Sequence, residues 1–98
     1  MATTATGTAS SAGIWGTGTP IVVRSISVFN NGTAGVAGTV SIRDGDNVAN
    51  RWQVRIASAT ANDRVFNEFP GTGVHCNGLS IDIGAATNIV WWVSYDNP

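Results

Sequence analysis

The chain reads as a small all-β protein: an antiparallel β-sandwich or jelly-roll-like barrel of six to eight strands, with an extended N-terminal arm. Three observations predict this. Apolar and polar side chains alternate in short runs from Pro20 onward, and turn residues interrupt those runs about every ten positions. Val, Ile, Thr and Trp are plentiful, whereas runs of Leu, Lys, Glu and Gln are missing. With 98 residues there is room for one hydrophobic core, and a domain of this size hides only roughly two-thirds of its unfolded surface.

Residues 1–19 consist almost wholly of Ala, Thr, Ser and Gly, with Ile14 and Trp15 as the large apolar exceptions. Such a stretch has little surface to bury. It is expected as a flexible or extended arm before a β-sandwich domain at 20–98, with Ile14 and Trp15 anchoring it on another subunit.

Six strands follow. Residues 21–29 form the first, with Val22, Ile26 and Val28 on one face and Arg24 interrupting that face; Asn30-Asn31-Gly32-Thr33 then supplies a turn tolerant of positive φ. Residues 37–44 alternate Val40 and Ile42 against Thr39, Ser41 and Arg43, and Asp44-Gly45-Asp46-Asn47 ends the run. Residues 51–57 are the cleanest case, with Trp52, Val54 and Ile56 opposed to Arg51, Gln53 and Arg55. Residues 64–69 place Phe66 opposite Val65 and Phe69, which suggests an edge strand closed by Pro70-Gly71. Residues 78–83 alternate Leu79, Ile81 and Ile83 against Ser80 and Asp82. In residues 88–95 both faces are apolar: Ile89, Trp91, Val93 and Tyr95 on one, Val90 and Trp92 on the other.

Charge excludes some partners. The formal net charge is −1, all five cations are arginines, and no block of like sign occurs. Nucleic acid and anionic membrane both call for clustered cations, so neither is expected. The lone Cys76 permits no intramolecular disulfide, and no cationic-then-apolar leader follows Met1, so the expectation is synthesis in a cytoplasm.

Neither catalysis nor a metal or cofactor site is expected. His75 and Cys76 are adjacent, and in extended chain they point to opposite faces. Residues 16–19 (GTGT) lack the lysine and the strand-to-helix setting of a phosphate loop. Asp44-Gly45-Asp46-Asn47 resembles a calcium loop but lacks the later ligands and the closing glutamate, and Asn31-Gly32-Thr33 reads as a hairpin turn despite matching a glycosylation sequon.

What remains is aromatic: Trp15, Trp52, Trp91 and Trp92. Trp52 is expected in the core. Trp91 and Trp92 cannot share a face, so one is expected to fill the interior and the other to meet a partner chain or a sugar ring. The candidate partner-binding residues are therefore Ile14, Trp15, Trp91 and Trp92.

The strand Val23-Arg24-Ser25-Ile26-Ser27-Val28-Phe29, the run Gly38-Thr39-Val40-Ser41-Ile42-Arg43-Asp44-Gly45, and Phe69-Pro70-Gly71 ahead of Gly78-Leu79-Ser80-Ile81-Asp82 together resemble small β-sandwich structural proteins of tailed bacteriophages. The nearest type is the capsid decoration, or cement, protein. The resemblance spans roughly residues 20–96 and implies a virion protein on the capsid surface. It would bind the major capsid protein, often as a homotrimer, and stabilise the head through protein–protein contacts. A carbohydrate-binding module, or a tail, fibre or neck protein of the same viruses, is the alternative.

Overall fold

The computed structural model describes residues 3–30, 35–56 and 64–97. Seven strands form one antiparallel sheet: β1 (Thr3–Gly7), β2 (Ser11–Asn30), β3 (Gly38–Arg43), β4 (Asn50–Ile56), β5 (Arg64–Glu68), β6 (Val74–Asp82) and β7 (Ile89–Asp96). Their spatial order is β1-β7-β2-β6-β3-β4, with β5 also paired to β2. No helix occurs among the described residues.

β2 organises the sheet. Its first part pairs with β6 between Ser11 and Val23, and its last part pairs with β7 between Val22 and Asn30. β5 pairs with β2 from Ser25 to Phe29. Because β7 already occupies one edge there, β5 and β6 follow one another along the other. A strand of 20 residues must bend to serve two sets of neighbours. Gly13 (φ 66°) and Gly18 (φ 92°) supply backbone that other residues resist, and the register slips between Ser11 and Trp15, and again between Trp15 and Pro20.

The segment expected as an arm is thus strand within the sheet. Residues 3–7 lie against β7, with Thr3 beside Tyr95 and Gly7 beside Trp91, and residues 11–19 belong to β2. Thr is a good strand former, and the missing burial comes from cross-strand neighbours rather than from the segment itself. Ala5, Ile14 and Trp15 pack against the chain's own core.

A further slip between Val23 and Ser25 corrects the expected face of β2. The extra residue at Arg24 reverses the alternation, so Ile21 and Val23, not Val22, join Ile26 and Val28 in the core. Val22 is buried on the other side, under the turn at Gly73: a Cβ on Gly73 would come within 2.6 Å of Val22 Cγ1. The Arg24 guanidinium then ties the region together, donating to Asp96 Oδ2 (2.8 Å) and to the Gly71 carbonyl (3.0 Å).

β6 begins at Val74, earlier than Gly78, because Val74, His75 and Cys76 find partners in Val23, Val22 and Ile21. The core is one cluster drawn from β2, β3, β4, β6 and β7, with the Ile83–Ala86 turn closing one side. Trp52 is half-buried, edge-on to Phe69 with ring centroids 5.6 Å apart. Among the described residues β5 pairs with β2 alone, at an edge of the sheet. The turn and sequon at 31–33 lie outside the described residues.

Candidate binding face

In antiparallel strands, residues at facing positions share a face of the sheet. The outer face of β1, β7, β2 and β5 is therefore a grid. One row reads Thr6, Trp92, Ser27, Phe66, and the next reads Thr4, Ser94, Ser25, Glu68. Phe29 stands beyond Ser27, next to Val90. Between the Trp92 and Phe66 rings, over the small side chains of Ser25 and Ser27, lies a cleft of about 340 Å³. Trp92 is 50% exposed and Phe66 60%.

The neighbouring indole does the opposite. Trp91 is 1% exposed, and its Nε1 donates to the Ala9 carbonyl at 2.9 Å. A Cβ on Gly7 would sit 2.7 Å from the Trp91 ring, so β1 can lie over this indole only because residue 7 has no side chain. The Thr6 hydroxyl donates to the Trp91 carbonyl at 2.9 Å, which fastens β1 to β7 a second time.

Ile14 and Trp15 are not brought to this face. Trp15 packs edge-on to Tyr95, 6.5 Å between centroids, and the two residues lean on the core instead. The cleft's other aromatic residues, Phe66 and Phe29, and its hydroxyl floor had one signal in the sequence. This was the uncertain parity of residues 64–69, and it becomes readable only once the bulge at Arg24 is known.

The polar cluster at the Asp44 turn is structural in geometry. Asp44 is 5% exposed, and Arg51 grips it with two bonds, Nε to Oδ1 (2.9 Å) and Nη2 to Oδ2 (2.6 Å). The Asn77 N–H adds a third at 2.9 Å. The β3–β4 hairpin is thereby pinned to β6. Among the described residues, no three His, Cys, Asp or Glu side chains are grouped to hold a metal ion. His75 is exposed and Cys76 buried, on opposite faces.

These groups set a pH window. The hydrogen bonds from Arg51 hold the Asp44 carboxyl below its ordinary value, against an opposing effect of burial and with help from Asn77. Asp82 is lowered mainly by the Gly84 N–H, with Ser10 and Arg43 assisting. Carboxyls depressed on folding contribute fully above their unfolded pKa of about 4 and lose that contribution as pH falls from there through their lowered folded value. Cys76 runs the other way: burial pushes its thiol up to about 11, so stability falls as pH rises beyond the unfolded thiol value of about 8.5. Urea midpoints are expected to form a plateau from about pH 5 to 8. Asp44→Asn should flatten the acid limb and Cys76→Ala the alkaline one; limbs of unchanged slope would contradict the assignment.

Compared with known proteins, the chain matches no family model, no curated protein and no solved structure.

Proposed function

We propose that this chain is a virion structural protein of the decoration type, a two-layered β-body that docks on a protein shell through the Trp92–Phe66 face. The observation supporting this reading is the pair of exposed aromatic rings on a regular, well-paired sheet. Half-exposed Trp and Phe side chains flanking a cleft are what interface hot spots are made of, and burying them against a partner removes apolar area from water. The near-neutral chain meets such a partner with little electrostatic repulsion. Many copies on a repeating shell add avidity without new chemistry.

A second reading rests on the cleft's hydroxyls. Ser25, Ser27, Ser94 and Thr4 line it together with the rings, a combination that suits the apolar face and hydroxyl edge of a neutral sugar.

The test is co-sedimentation with undecorated phage heads. Trp92→Ala is expected to weaken binding by about 30-fold or more, as a hot-spot truncation of about 2 kcal/mol does, with unchanged thermal stability. Head binding indifferent to both Trp92→Ala and Phe66→Ala would overturn the docking face. Loss of binding to neutral oligosaccharides on Trp92→Ala, with no affinity for heads, would favour the sugar reading.

A further inference from the structure

We propose, resting on the docking reading above, that the Trp92–Phe66 cleft takes a proline-bearing segment of the partner protein, extended in the polyproline conformation. Trp92 and Phe66 stand on β7 and β5, with Ser27 of β2 between them at the facing position. Two strand spacings, about 9.5 Å, separate their backbones. A layer of carbon atoms that touches an aromatic side chain on each side needs about 7–8 Å, so the slot admits one ring between the two. Ser25 and Ser27 keep its floor low, and Phe29 lines it beyond Ser27.

The build of the cleft removes other modes of peptide recognition. An α-helix is about 10–12 Å across and cannot enter. Addition of a strand needs a free backbone edge, but this cleft lies over paired backbone: residues 91–95 of β7 pair with β1 and with β2, and residues 25–29 of β2 pair with β7 and with β5. Capture of a phosphate calls for arginines, and the lining is uncharged among the described residues.

An occupant of the cleft therefore bonds to side chains alone, the hydroxyls of Ser25, Ser27, Ser94 and Thr4 and the indole N–H of Trp92. Each N–H that it brings and leaves unpaired adds a cost. Proline brings none, its carbonyl accepts from these donors, and its ring fits the slot. A polyproline segment has no internal hydrogen bonds to break and is extended before it binds, so little freedom is lost. Neutral cleft and neutral segment also match in charge. A sugar would find no carboxylate, amide or guanidinium among the described lining residues to hold its paired hydroxyls. At about 340 Å³ the cleft covers only a short segment, so each contact is weak and many copies compensate.

Titration of the isotope-labelled full chain with a capped decaproline peptide, up to about 5 mM and followed by NMR, tests this. The four tryptophan indole N–H signals are the reporters. That of Trp92, identified by its absence in Trp92→Phe, is expected to shift, and that of Trp91, bonded to the Ala9 carbonyl, to stay. A capped Gly-Ser peptide of equal length should move neither. Phe66→Ala should weaken peptide binding by about tenfold or more, with its fold checked by circular dichroism. An unmoved Trp92 signal, an equal shift with the Gly-Ser peptide, unchanged affinity in Phe66→Ala, or a shift produced by maltohexaose instead of decaproline would each overturn the polyproline occupant. Competition separates the two ideas. Heads held through Trp92 that decaproline does not displace would leave the docking face and remove the proline occupant, whereas decaproline bound in the cleft of a chain without affinity for heads would do the reverse.

Discussion

Trp91→Ala should cost about 3–5 kcal/mol, whereas Trp92→Ala, one residue further along the same strand, should change stability by less than about 0.5 kcal/mol. The first removes a ring that is 1% exposed, lies under Gly7 and is hydrogen-bonded to Ala9. Its loss leaves a cavity that β1 cannot fill without abandoning its register. For a chain of this length the whole stability is on the order of 5–15 kcal/mol, so the variant should be marginal at room temperature. The second removes a ring that is already half in water. Urea denaturation with fitted m-values separates the cases, and equal costs at the two positions would show that the faces of β7 are wrongly assigned.

Gly78→Ala is expected to destabilise by about 3 kcal/mol or more, and Gly71→Ala by only about 1–2 kcal/mol. Both glycines have positive φ, 79° and 74°, so both substitutions carry the left-handed penalty. The difference lies in space. A Cβ at 78 would meet the Trp15 and Gly16 carbonyl oxygens at 2.5 Å, and these belong to backbone held in place. Around Gly71 nothing lies within 4 Å. Gly45, whose N–H donates to the Asn77 carbonyl, comes against the same stretch, 2.3 Å from the Trp15 oxygen to its ideal Cβ, so two neighbouring glycines form a clasp on residues 15–17. Thermal unfolding measured on both variants distinguishes the clash from the torsional strain; similar losses would mean that the clasp yields.

Strands β3, β4, β5 and β7 were legible within one or two residues because β3 and β4 alternate without a break, β7 is a continuous apolar run, and the turns that bound them carry Gly, Asn, Asp or Pro. The opposite faces of Trp91 and Trp92 followed from the period of two alone. Three features were not legible, and each depends on partners distant in sequence. Residues 1–19 looked too poor in apolar groups to order, but β7 pairs with residues 3–7 and β6 with β2 from Ser11 onward. Val22 and Val23 exchanged roles because a bulge at Arg24 cannot be read from hydrophobicity. The binding face was only half seen: Trp92 announced itself, while Phe66 and Ser27 reach it through pairings that connect β5, β2 and β7. A practical result is that deleting residues 2–16, a natural test of an arm, would remove β1 and the Trp15 contact with Tyr95. Lost binding in that deletion would report unfolding rather than docking.

The wiring of β2 has a consequence for how the molecule comes into being. Thr3 sits beside Tyr95, and Ser11 beside Ile81, so nearly every early residue waits for a late one. Closing such long loops before any reward arrives places the chain among slow, millisecond-to-second folders. During synthesis β1 and the last part of β2 lack their β7 partner until residues 89–96 are free of the ribosome. The body should therefore assemble in a single late event, and a stalled or shortened product would present bare strands to chaperones and proteases instead of a half-built domain.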